Sequence, residues 1–112
     1  MNYKVIEHKT PEAYSVYESI AGVDRVAYTY KTRAEAEDMS RLLDMVVSTW
    51  CYGGDRRSDY IMRYATDKAI SKADMLEAVD KLFDYLDDNF TTRYAGTDSE
   101  GVSYNTIVKR EQ

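Results

Sequence analysis

Hydrophobic and polar positions alternate with a period of two along the first part of the chain. Three segments share this alternation: residues 3–6, 14–19 and 25–30. Pro11 and Gly22 stand between them, at positions typical of short turns. Because successive side chains of a strand point to opposite faces of a sheet, the pattern predicts an antiparallel β-meander over about residues 2–30.

Two later segments repeat their apolar positions every three or four residues, which is typical of amphipathic helices. The first stripe consists of Ala36, Met39, Leu43, Val46, Val47 and Trp50, and the second of Met75, Leu76, Val79, Leu82, Phe83, Leu86 and Phe90. Thr32 and Glu35 form a capping box before the first stripe, and Ser71 opens the second. We therefore predict helices over about residues 33–51 and 72–90.

The remaining segments give weaker patterns. Residues 53–70 are predicted to be a loop or a short element, since apolar runs this brief fit a helical turn and a strand equally well. Residues 102–108 alternate again, so a C-terminal strand is expected at the edge of the sheet. The sequence thus predicts one α+β domain over residues 1–112, with a three- to four-stranded antiparallel sheet and two helices packed on one face.

The composition indicates a protein that binds other proteins. Net charge is −5 and the pI is about 4.8, so the surface repels nucleic acid and favours a basic protein or protein complex. Eleven tyrosines exceed what a core of this size needs, and tyrosine is favoured at interfaces, including that of a homodimer. With no long apolar run and no secretion signal, we expect a cytoplasmic protein without a membrane partner.

Catalytic chemistry finds little support in the sequence. His8 and Cys51 are the only residues of their kinds, and their spacing does not bring them together as a nucleophile and its base. One histidine and one cysteine do not make a zinc site, and Gly53-Gly54 lacks the lysine of a phosphate-binding loop. We therefore expect no enzyme activity, no metal and no cofactor.

The outer face of the second predicted helix carries a row of carboxylates at three- and four-residue steps: Glu77, Asp80, Asp84, Asp87 and Asp88. Successive charges stand about 5 Å apart along the helix axis, a spacing of the same order as that of phosphates on a nucleic-acid strand. A groove built for nucleic acid could therefore accept this face. The alternative is an ordinary solvated face, which any amphipathic helix requires.

A second candidate site combines arginine and tyrosine side chains. Arg56, Arg57, Tyr60 and Arg63 lie close together in sequence. Guanidinium groups bind phosphate and carboxylate in pairs, so this cluster predicts a small phosphorylated ligand or a nucleotide. The alternative is that these arginines pair with the neighbouring Asp55 and Asp59.

One segment resembles small bacteriophage accessory proteins. The similarity covers about residues 14–44 and is carried by the run VAYTYKTRAEAE at residues 26–37, followed by Leu42-Leu43-Asp44. The resemblance implies a phage origin. It also implies a role as an inhibitor of a host defence complex, of the anti-CRISPR type, acting in the host cytoplasm. The matching residues are features of a strand and a capped helix, so no site residue is carried over.

Overall fold

The chain folds into two helices and two antiparallel sheets. The computed structural model describes residues 2–54, 56, 61 and 69–111. In chain order the elements are β1 (Tyr3–Lys9), β2 (Glu12–Ile20), β3 (Val23–Tyr30), α1 (Arg33–Cys51), α2 (Lys72–Asn89), β4 (Phe90–Thr97) and β5 (Ser103–Lys109). The α+β class, the meander and both helices are confirmed.

The three-stranded sheet has the order β1-β2-β3, with β2 in the centre. Val5, Val16 and Tyr28 are paired across the three strands and share the face that meets the core. The register shifts between Val16 and Tyr17, so that Ala27 is an extra residue on β3. Such a bulge bends the strand locally and increases its twist.

Each helix begins at the hydroxyl-bearing residue that the sequence predicts. Thr32 accepts the Glu35 backbone N–H at 3.3 Å, while its hydroxyl donates to the Glu35 carboxylate at 2.7 Å. Ser71 accepts the Asp74 N–H at 3.2 Å. These contacts satisfy backbone donors that have no partner within the first turn of a helix.

The two helices pack side by side and run in the same direction. Near their N-terminal ends, Asp38 of α1 accepts the backbone N–H of Ala69, just before α2. Near their C-terminal ends, Trp50 of α1 contacts Asp87 of α2. The core lies between the meander, α1 and the inner stripe of α2. Both carbonyl ends of the helices therefore lie at the same end of the molecule.

The C-terminal strand corrects one prediction. It exists, as β5, but it does not join the edge of the meander; it pairs with β4 in a separate two-stranded sheet. β4 itself was not predicted, because most of its side chains are exposed on both faces and so show no alternation. Phe90, which the apolar spacing places at the end of the second helix, is fully buried and is the first residue of β4.

The predicted loop over residues 53–70 lies largely outside the described residues. Within it, Ile61 is fully buried in the core and Ile70 nearly so. At least part of this interval therefore contributes to the core. Among the described residues, neither helix is both long and apolar enough to cross a membrane.

Candidate functional site

The predicted acidic row lies on the outer face of α2. Its five members, Glu77, Asp80, Asp84, Asp87 and Asp88, are all exposed. The opposite face is buried against α1 and the sheet through residues such as Met75, Val79 and Leu86. The structure thus brings the row together on one side of the molecule, as the helical period requires.

Two members of the row are engaged within the protein. Glu77 forms an ion pair of 2.8 Å with Lys81, one turn later, and this contact lowers the pKa of Glu77. Asp87 accepts the indole N–H of Trp50 at 2.9 Å and an Nη2 hydrogen of Arg56 at 2.7 Å. The hydrogen bonds from Arg56 and Trp50 lower the pKa of Asp87. These two carboxylates are therefore partly neutralised.

The other three members follow each other at four-residue intervals. Asp80, Asp84 and Asp88 lie one turn apart, about 6 Å along the helix axis at each step. Within the described part of the chain, Asp84 and Asp88 take part in no hydrogen bond or ion pair. Like charges at this spacing destabilise a helix by a few tenths of a kcal/mol per pair. Asp84 and Asp88 thus carry negative charge that no contact within the described part of the chain neutralises.

The arginine and tyrosine cluster is only partly described. Arg56 lies over the ring of Phe83, with 4.7 Å between the guanidinium carbon and the ring centroid, and binds Asp87. Its guanidinium thus has internal partners. Arg57, Tyr60 and Arg63 lie outside the described residues, as do Asp55 and Asp59, so the expected local ion pairs also fall outside them.

Histidine and cysteine take part in separate contacts. His8 Nε2 lies 2.9 Å from Ser15 Oγ, which lies 3.0 Å from Thr29 Oγ1. This row crosses the middle of the meander, where the backbone N–H groups belong to the strand ladder and are not grouped to stabilise an oxyanion. No carboxylate of the described residues orients the imidazole.

Cys51 is buried, and its thiol lies 3.8 Å from the carbonyl oxygen of Asn105. Burial raises the pKa of this thiol, which disfavours the nucleophilic thiolate. In the described ranges, no group of three histidine, cysteine or acidic side chains is placed to hold a metal ion.

A buried ion pair was not predicted. Glu18, on the core face of β2, is fully buried; it accepts Arg25 Nε at 2.7 Å and the Tyr3 hydroxyl at 2.7 Å. Arg25 in turn lies 3.7 Å from the ring centroid of Tyr85 on α2. The alternation along β2 puts Glu18 in phase with Tyr14 and so could have revealed it. This cluster joins all of its charges internally and is a feature of the fold.

The tyrosines divide by exposure. Tyr3 and Tyr14 are buried, whereas Tyr52, Tyr94 and Tyr104 are exposed by 57%, 62% and 45%. Burial raises the pKa of Tyr30, on β3, to about 12. Among the described tyrosines, Tyr52, Tyr94 and Tyr104 are the best placed to contact a partner.

Comparison with known proteins gives no relative. The chain matches no protein-family model, no curated protein and no solved structure. Function is therefore inferred from the surfaces of the molecule itself.

Proposed function

We propose that the protein is a non-enzymatic binding protein that engages a basic partner through the outer face of α2. The observation that carries this proposal is the pair of Asp84 and Asp88, one helical turn apart on the outer face of α2. Asp84 and Asp88 are exposed and have no ion pair within the described chain. A surface of this kind attracts a positively charged protein and speeds its association, in a manner that salt weakens.

The partner that fits best is a protein whose own groove binds nucleic acid. Carboxylates about 6 Å apart along a helix present negative charge at intervals comparable to those of a phosphate backbone. The protein would then act as an inhibitor that occupies the nucleic-acid surface of a defence complex, as expected for a phage-type protein. The resemblance over residues 14–44 and the net charge of −5 support this reading.

The test is capture of partners from a bacterial lysate that has been treated with nuclease. We expect the immobilised protein to retain a basic partner at low salt and to release it at high salt. Duplex DNA added to the captured complex should displace the protein, because both compete for one groove. Retention that is unaffected by salt and DNA would contradict the proposal.

The two matched variants change the net charge by the same amount. Asp84→Lys with Asp88→Lys removes two unpaired carboxylates from α2, whereas Glu100→Lys with Glu111→Lys changes charge equally at exposed positions elsewhere. We expect only the first pair to abolish capture. Equal loss with both pairs would mean that overall charge, and not the face of α2, attracts the partner.

A further inference from the structure

A groove of about 470 Å³ opens along the C-terminal half of α1. It lies between the C-terminal half of α1, the start of β1 and the middle of β5. Its lining includes Asn2, Asp44, Ser48, Cys51, Tyr52 and Asn105. Its volume falls within the range of sites that bind small molecules or single side chains.

The groove is electronegative. Asp44 is the only charged side chain among the described residues that line it. The last turn of α1, which ends at Cys51, contains no basic residue. The carbonyl end of a helix carries a partial negative charge, so the helix end and the carboxylate act in the same sense. Both favour a cation.

The Asp44 carboxylate is only half satisfied. Its Oδ1 accepts the backbone N–H of Asn2 at 3.0 Å, and no other hydrogen bond to this side chain is formed within the described chain. Desolvation by burial raises the pKa of Asp44, against the opposing effects of the Asn2 N–H and of the positive N-terminal amino group. The second carboxylate oxygen is thus left without a hydrogen-bond donor within the described chain, on a residue that lines the groove.

The rest of the lining suits an aliphatic chain. Val47 and Ile107 line the groove with apolar side chains, and Cys51 is held there because its carbonyl oxygen accepts the Asn105 side-chain amide at 3.1 Å. Tyr52 also lines the groove and is 57% exposed. An aromatic face of this kind attracts a cation.

We propose that this groove binds a primary ammonium group carried on a short aliphatic chain, with Asp44 as its counter-ion. The ammonium would contact the unoccupied carboxylate oxygen, and the methylene groups would pack on Val47 and Ile107. Either a free alkylamine or a lysine side chain of a peptide presents this chemistry. The site is separate from the outer face of α2 and does not depend on the function proposed above.

The test is an NMR titration of the ¹⁵N-labelled protein with two probes, 1,4-diaminobutane and Nα-acetyl-lysine methylamide. We expect saturable shifts of the amides of Ser48, Cys51 and Asn105 with at least one of them. Saturation by the diamine indicates a free amine as the natural ligand; saturation by the lysine derivative alone indicates a peptide side chain. The matched control is the same lysine derivative acetylated on Nε, which lacks the charge and should produce no saturable shifts.

Two variants locate the site. Asp44→Asn keeps an acceptor for the Asn2 N–H but removes the charge, and it should weaken amine binding about ten-fold, as loss of one charge-assisted hydrogen bond does. Glu100→Gln removes one exposed charge from the loop between β4 and β5 and should leave amine binding unchanged. The proposal is overturned if neither probe saturates, if the acetylated control binds equally, or if Asp44→Asn binds as tightly as the parent.

Discussion

The indole N–H of Trp50 donates to Oδ1 of Asp87 at 2.9 Å and thereby joins the C-terminal ends of the two parallel helices. An aspartate in the last turn of a helix is unfavourable because the carbonyl end already carries partial negative charge. α2 has no basic residue of its own there. Arg56 and Arg110 supply the missing charge, at the carboxylate and at the Asp87 carbonyl oxygen. Asp87 is therefore a structural carboxylate, unlike Asp84 and Asp88 in the same row.

Asp87→Asn tests this role, because the amide oxygen still accepts from Trp50 while the charge is lost. Asp87 is 45% exposed, so we expect a loss in the free energy of unfolding of only about 0.5–1 kcal/mol at neutral pH. Urea denaturation followed by Trp50 fluorescence measures it. The control is Asp84→Asn, one turn earlier on the helix, which should not lower the free energy of unfolding.

The pH dependence of the same variant follows from the depressed pKa of Asp87. A carboxyl group whose pKa is lower in the folded state stabilises the protein above its unfolded value, and this stabilisation is lost as the pH falls through the folded pKa. The difference between Asp87→Asn and the parent should therefore be present at pH 7 and vanish in acid. A difference that persists in acid would show that the charge is not its cause.

Removing the ion-pair partner of the buried Glu18 carboxylate should lower the free energy of unfolding more than Asp87→Asn does. Arg25→Ala would leave this side chain, 0% exposed, without its ion-pair partner. Breaking a buried pair costs about 3–5 kcal/mol. Because Arg25 is itself 42% exposed, we expect Arg25→Ala to lower the free energy of unfolding by about 2–3 kcal/mol. Thermal or urea unfolding measures this loss.

The control for Arg25→Ala is the double variant with Glu18→Leu, which removes the stranded charge as well. Apolar replacement of a buried pair is often neutral, so the double variant should recover part of the lost stability. If it is less stable than Arg25→Ala alone, the ion pair is not what Arg25 contributes at this position.

Local patterns predicted the helices and the meander because each has one buried face. β4 was not predicted for the opposite reason: six of the seven residues that follow Phe90 in this strand are exposed to solvent, so no burial imposes alternation there. The position of Asp87 on the polar face of α2 was also predicted from the spacing. Its structural role could not be predicted, because Trp50 and Arg56 are 37 and 31 residues away in sequence. Contacts at such separation depend on tertiary packing rather than on spacing.

Gly96 lies in β4 near the turn of the β4–β5 hairpin, at a position that favours glycine. Its φ is 152°, and a Cβ at this position would lie 2.8 Å from the Tyr104 hydroxyl oxygen. We expect Gly96→Ala to destabilise the β4–β5 hairpin by about 1 kcal/mol, seen as faster amide hydrogen exchange over β4 and β5. Tyr104→Ala in the same chain should relieve the clash; exchange that stays as fast in the double variant would assign the effect to the backbone alone.

The stability of an Asp44 variant shows whether this carboxylate serves ligand binding or the stability of the fold. Burial raises its pKa, so its charged form is less favourable in the folded than in the unfolded chain. This destabilisation is present at neutral pH and disappears as the pH falls and both states become protonated. Asp44→Asn should therefore raise the free energy of unfolding at pH 7 and leave it unchanged in acid, as urea denaturation at the two pH values would show. A carboxylate that lowers stability at neutral pH is typical of a site built for a ligand. If Asp44→Asn instead destabilises the protein at pH 7, the carboxylate serves the fold through Asn2, and the groove has no need of a cation.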